Sequence, residues 1–210
     1  MNKKELILIG GGGHCKSCID VIEQENKYTI AGIVDIKEKI GQTILGYPII
    51  GTDDDLSVIS QKYDHFLITI GQLKNPSLRI KLFKKIKDLN GSFPVIISPN
   101  AYVSKHAIIE EGTIIMNNSI VNASCKIGKN CIINTNSLIE HDSIIGDDCH
   151  ISTSSTINGE CKLGNRIFLG SGSIVIQEIV IEDDTVIGAG SIVTWNLVSG
   201  TYAGNPAKPI

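Results

Sequence analysis

From residue 101 to residue 196 the hydrophobic pattern repeats every six positions, sixteen times without a break. The third position of each hexad is aliphatic throughout: Val103, Ile109, Ile115, Val121, Ile127, Ile133, Ile139, Ile145, Ile151, Ile157, Leu163, Leu169, Val175, Ile181, Ile187 and Val193. The first position is small (Ala, Ser, Thr or Cys) except at Ile167 and Ile179. A fixed period of this kind marks a solenoid. The pattern has no helical period and is rich in short β-branched runs, so each hexad predicts one short strand and one turn. Three hexads make a triangular coil, giving about five coils and a prism roughly 25 Å tall at the usual strand spacing of about 4.8 Å. Gly128, Gly146, Gly164, Gly170 and Gly188 follow the aliphatic position. There they are expected to supply unusual turn dihedrals. The period fails at Leu197, and the tail 202–208 leaves the solenoid.

The first hundred residues have another rhythm. Residues 5–9, 28–34, 66–70 and 93–97 read as strands. A helical stretch covers 14–25, a helix capped by Thr52 runs to about residue 63, and a lysine-rich amphipathic helix covers 75–89. Alternating strands and helices predict a parallel sheet. Pro94 and Pro99 mark its end. Two domains are therefore expected, 1–98 of α/β type and 99–210 of all-β type.

Composition narrows the partners. A net charge of −3 and 5% aromatics give no electrostatic footprint or stacking surface for nucleic acid. No apolar run approaches the ~20 residues that cross a bilayer, and MNKKELILIGGGGH reads as a first strand, not a signal peptide. Four of the six cysteines (Cys125, Cys131, Cys149, Cys161) occupy the small first position, where a thiol serves as a small buried hydrophobe. Cys15 and Cys18 form a lone CxxC beside His14 with no second pair at zinc spacing, so no metal is expected. Thiols used as core filler suit a reducing cytoplasm.

Two constellations exceed what the pattern requires. In SLIEHD, Glu140-His141-Asp142 sets an imidazole between two carboxylates at a coil corner. A carboxylate on one ring nitrogen fixes the tautomer and raises the basicity of the other. Whether Asp142 or Glu140 does so is open from sequence. His150 lies nine residues on, half a coil away, on a different face. In the first domain, Gly10-Gly11-Gly12-Gly13-His14 follows a strand and opens a helix, where backbone N–H groups and the helix dipole favour phosphate. The run lacks the GxGxxG dinucleotide spacing.

The hexads resemble the left-handed parallel β-helix of bacterial hexapeptide-repeat acyltransferases. Joined to LILIGGGGH, IVD, GYPIIGTDDDL and ITIG, they resemble the subfamily of sialic acid O-acetyltransferases and nucleotide-amino-sugar N-acetyltransferases of bacillosamine, perosamine and viosamine type. The resemblance spans nearly the whole chain. It implies a small Rossmann-like α/β domain that binds a nucleotide sugar, followed by a left-handed β-helix acetyltransferase domain. It implies His141 as catalytic base with Asp142 or Glu140 orienting it, and acetyl-CoA as co-substrate at His150, Ser171, Ala189 and Lys208. It places Gly12, Gly13 and His14 at a diphosphate, Asp35 at the base or ribose, and Gly71 beside that pocket. Relatives often carry a second acid after Asp35, where this chain has Ile36. A homotrimer in the cytoplasm is implied as well. The expected reaction is N-acetylation of a UDP- or dTDP-linked 4-amino-4,6-dideoxy sugar. The alternatives are O-acetylation of sialic acid or a related sugar, and a β-solenoid that binds without catalysis.

Overall fold

The computed structural model describes residues 3–73 and 75–210. The chain divides into two compact units, Met1–Ile96 and Ile97–Ile210.

The first unit runs β1 (Lys4–Ile9), α1 (Gly13–Glu25), β2 (Tyr28–Val34), β3 (Thr43–Ile44), β4 (Tyr47–Gly51), α2 (Leu56–Ile59), β5 (His65–Ile68) and α3 (Ser77–Asp88). The sheet order is β3-β4-β2-β1-β5, parallel except for the β3–β4 hairpin. Ile7, Ile9, Val34, Phe66, Ile68, Leu82 and Ile86 pack together as part of its core. Chain order places β2 on one side of β1 and β5 on the other. The crevice at their carboxyl ends is therefore a topological switch point, where open α/β sheets bind ligands.

Three expectations change here. Residues 93–97 do not add a strand to this sheet. Only Ile96–Ile97 is extended, at the boundary of the units, because Pro94 cannot donate to a ladder. The sheet is widened instead by the hairpin, whose turn residues Leu45 and Gly46 take φ 47 and 88. The helix expected over 52–63 is a 3-10 turn, Asp53–Asp55, followed by the four residues of α2. Its start is as expected: Thr52 and Asp55 form a reciprocal capping box.

The second unit is a left-handed parallel β-helix of three faces. Sixteen two-residue strands, from Tyr102–Val103 to Ile192–Val193, occupy the second and third hexad positions. All but the last strand of each face pair in parallel with the strand 18 residues on, as in Ile120↔Leu138, Lys126↔Ile144 and Ile132↔His150. The first face carries Tyr102–Val103 through Ile192–Val193, the second Ile108–Ile109 through Val180–Ile181, and the third Ile114–Ile115 through Val186–Ile187. Thr201–Ala203 continues the third face, and Lys208–Pro209 pairs antiparallel with it.

The hexad now has a physical grammar. Third positions from Ile115 onward are buried and form one continuous column. First positions tie successive coils. Thr113 Oγ1 donates to Gly128 O at 2.7 Å and accepts from Cys131 N at 3.0 Å. A cysteine fills the same slot: Cys131 Sγ lies 3.2 Å from Gly146 O and accepts from Cys149 N at 3.4 Å. All six cysteines are free and buried.

The turn residue is the sixth, not the fourth. Every sixth position from Gly112 to Gly190, Asp142 included, has φ between 53 and 74. The fourth-position glycines have ordinary φ and are small for another reason. A Cβ on Gly170 would stand 2.5 Å from Ala189 N and 2.7 Å from Gly188 C in the next coil.

Candidate active site

His141 stands exposed at the corner after the first face. Its Nδ1 lies 2.9 Å from Asp142 Oδ2, which leaves Nε2 to take a proton. Asp142 reaches back because its own backbone is left-handed, φ 60. Glu140 is held elsewhere, its Oε2 accepting from Asn122 Nδ2 of the preceding coil at 2.8 Å. The geometry thus favours Asp142 over Glu140 as the orienting partner. The hydrogen bond that His141 Nδ1 donates to Asp142 raises the His141 pKa above the free-imidazole value. Desolvation opposes the rise without cancelling it, and the charges of Asp142, Glu140 and Glu160 add to it.

A cavity of about 400 Å³ opens at this corner, lined by Glu140, His141, Asn158, Gly159, Glu160, Gln177 and Glu178. Gly159 lies one coil above His141, and a methyl there would stand 2.8 Å from His141 Cε1 and 2.9 Å from Nε2. Only a glycine there leaves the imidazole the space it occupies. Sequence reasoning missed Gly159, Gln177, Glu160 and Glu178. The 18-residue period was the signal that could have found Gly159 and Gln177.

The corners differ in how they treat fifth-position N–H groups. After the second face, Lys129 N, Asp147 N and Asn165 N are each capped at 2.8 Å by the side chain one coil on: Asp147, Asn165 and Asp183. After the first face, the N–H groups of His141, Gly159 and Gln177 have no partner among the described residues. After the third face, those of Thr153, Ser171 and Ala189 are likewise open. The first face is flanked by these two open corners.

The remaining second-unit candidates lie away from His141 within one chain. His150 sits on the third face, 6% exposed, with Nε2 3.1 Å from Asn134 Nδ2 and its ring edge-on to Phe168 at 5.4 Å. Ser171 and Ala189 stack one coil apart at the corner after the third face, both exposed. Lys208 is exposed in the closing strand.

In the first unit, Gly12 caps α1 and Gly13 begins it, and a Cβ on either would meet nothing within 4 Å. The chain's own packing does not demand glycine there. The loop is closed by Gly10 N donating to Val34 O and Thr69 Oγ1 donating to Gly10 O. Gly71 lies against His14, 3.5 Å from a built Cβ to His14 Cβ. These residues collect at the carboxyl ends of β1 and β5. Asp35 is engaged already: Oδ1 accepts from Ile36 N, and Oδ2 from Gly11 N and Lys39 Nζ at 3.0 and 2.7 Å. Burial pushes its pKa up, but the Lys39 and backbone bonds outweigh that and hold it below the ordinary range. Cys15 and Cys18 lie on the buried face of α1. Burial raises both thiols, Cys15 to about 11 and Cys18 further, which disfavours the thiolate that redox exchange needs. Among the described residues no group of three or more His, Cys, Asp or Glu is arranged to hold a metal ion. No described helix is long and apolar enough to cross a membrane.

The Asp142–His141 pair yields a pH prediction. A base must be unprotonated to act, so a raised pKa shifts the acidic limb of kcat/KM above pH 6.5. Asp142→Asn removes the largest raising influence. The limb should move down toward 6.5 while maximal turnover falls. A limb unmoved by the substitution would contradict the pairing.

A left-handed β-helix with a histidine paired to a carboxylate at an open corner, preceded by a small parallel α/β unit, is the architecture of a hexapeptide-repeat acyltransferase. Family profiles agree: the PglD N-terminal domain matches residues 5–86, and the bacterial transferase hexapeptide matches residues 124–159. The chain is similar to PerB from Caulobacter crescentus, solved in complex with CoA and GDP-perosamine. Identity is 34% and TM-score 0.91, with coverage of 98% of this chain and 97% of that one. The acetyltransferase domain of PglB from Neisseria gonorrhoeae, solved with acetyl coenzyme A, is 28% identical with TM-score 0.91 over 100% of both chains. A curated relative, UDP-N-acetylbacillosamine N-acetyltransferase of Bacillus subtilis (strain 168), is 34% identical over 116 residues. That match spans 54% of this chain and about half (51%) of the relative. The chain belongs to the family of hexapeptide-repeat sugar N-acetyltransferases that carry a PglD-type N-terminal domain.

Proposed function

We propose that this protein transfers acetyl from acetyl-CoA to the amine of a nucleotide-linked amino sugar. The observation that carries the reading is His141 Nδ1 bonded to Asp142 beside an open acidic cavity. Only an unprotonated amine attacks a thioester. His141 Nε2 removes its proton as the C–N bond forms. The open N–H of Gly159, next to the imidazole, is the donor we assign to the tetrahedral oxyanion. Collapse expels CoA as thiolate, which takes the proton back from the imidazolium. Glu140, Glu160 and Glu178 line the same cavity. Their charge favours a substrate that arrives as an ammonium and releases one proton to water before the free amine attacks, which supports N- over O-acetylation.

In the first unit, Gly12, Gly13 and His14 would hold the diphosphate at the start of α1, with Gly71 beside them. Asp35 would contact the ribose or base, exchanging Lys39 for ligand. The acetyl acceptor proposed is a UDP- or dTDP-linked 4-amino-4,6-dideoxy hexose, in the cytoplasm. PerB, solved with GDP-perosamine, makes GDP the competing nucleotide. The test is CoA thiol release across UDP-, dTDP- and GDP-linked amino sugars, with CMP-sialic acid as hydroxyl acceptor.

The working unit in this reading is a homotrimer. The outward positions of the first face are Tyr102, Ile120, Leu138, Thr156, Ile174 and Ile192, apolar but for one threonine, and Tyr102, Ile120 and Ile174 are exposed. The second face alternates instead, with Lys126 and Lys162 between its aliphatics. A threefold array covering the first face would set the His141 corner of one copy against the Ser171–Ala189 corner of the next. His150 and Lys208 would approach acetyl-CoA from that second copy.

A further inference from the structure

The column of fifth positions above His141 ends in an aromatic ring that no other corner has. It reads Ala123, His141, Gly159, Gln177, Trp195. Trp195 is the only tryptophan of the chain and is 42% exposed. The column after the second face is polar, and the one after the third is small and polar. The turn that carries the ring is fixed, since Asn196 Oδ1 accepts from Val180 N at 2.8 Å. Between base and ring, the column offers the open N–H groups of Gly159 and Gln177 and no bulky side chain at Gly159.

We infer that Trp195 is the stacking platform for the adenine of the acyl-CoA, and that it fixes the cofactor's far end while the thioester sits at His141. The inference rests on the transferase reading above. Trp195 is three coils from His141, about 14 Å along the axis at about 4.8 Å per coil. The pantetheine arm carries two amides and spans about four to five extended residues, on the order of 15 Å. With the thioester carbonyl at Gly159 N–H, an amide carbonyl falls near Gln177 N–H, one coil on. Trp195 is two coils, about 10 Å, beyond Gly159, so the pyrophosphate end arrives about one coil past the ring and the nucleotide turns back to lay the purine against the indole. Ring stacking of this kind tolerates any base and resists truncation to alanine by about tenfold or more.

The test uses the full-length protein and two acetyl donors, acetyl-CoA and S-acetylpantetheine, which lacks the nucleotide. Trp195→Ala should raise KM for acetyl-CoA about tenfold. It should leave kcat, and the KM for S-acetylpantetheine, unchanged. Trp195→Phe should restore much of the loss. In the wild type, CoA should quench the single tryptophan's emission saturably, and pantetheine should not. An equal rise in KM for both donors, or none for either, would overturn the inference while leaving the transferase reading intact. Failure of the wild type to turn over either donor would overturn both.

Discussion

His141→Ala lowers acetyl transfer by about 100- to 10,000-fold, the range general-base removal typically costs, and leaves the fold untouched. The side chain is exposed, its one close partner is Asp142 on the same turn, and no core position depends on it. Thermal unfolding should therefore stay near wild type, as for most surface changes. KM for acetyl-CoA should change little, because the thioester is held by backbone N–H groups. Near-wild-type turnover would remove His141 from the chemistry. A collapsed melting temperature would assign it a structural role instead.

Ile174→Glu carries the second large effect. Ile174 lies mid-column on the apolar first face, 38% exposed in the single chain. In a trimer covering that face, each glutamate would be a buried unpaired charge, which disfavours assembly by about 3–5 kcal/mol per site. The variant should sediment as single chains. Turnover should fall at least as far as for His141→Ala, even though His141, Asp142 and Gly159 are intact, because Ser171 and Ala189 would lie at another corner of the same chain. A wild type that is fully active as a monomer would contradict this part of the account.

The solenoid was legible because its two buried positions are chemically narrow. Third positions are Ile, Val or Leu and first positions are mostly Ser, Thr, Cys or Ala, so a one-line pattern carried the fold. The sixth position was not legible as the turn. Asn, Asp, Ser and Gly there read as ordinary corner residues, and Glu160, Arg166 and Glu178 adopt the same left-handed φ against their propensity. The fourth-position glycines drew the eye for dihedrals, yet what they avoid is the backbone of the next coil. In the first unit, the β3–β4 hairpin was hidden by Pro48 and by strands only two and five residues long.

The candidate site divides the same way. Glu140-His141-Asp142 stood out because a corner needs no imidazole. The choice between its carboxylates needed Asn122, eighteen residues before Glu140, to show that Glu140 is already held. Gly159 is invisible as a site residue until three hexads are wound into a coil, which sets it over the imidazole. Asp35 follows the end of β2, and its engagement by Lys39 and two backbone N–H groups could not be read from IVD.

The central claim is that this chain moves acetyl from acetyl-CoA onto a nucleotide-linked amine. The most direct measurement is CoA thiol release by the wild-type protein with UDP-, dTDP- and GDP-linked 4-amino-4,6-dideoxy sugars and with CMP-sialic acid. The account predicts turnover with an amino-sugar nucleotide, UDP or dTDP ahead of GDP, abolished by His141→Ala, and none with the hydroxyl acceptor. Release only with CMP-sialic acid, or with no acceptor in the panel, would contradict it.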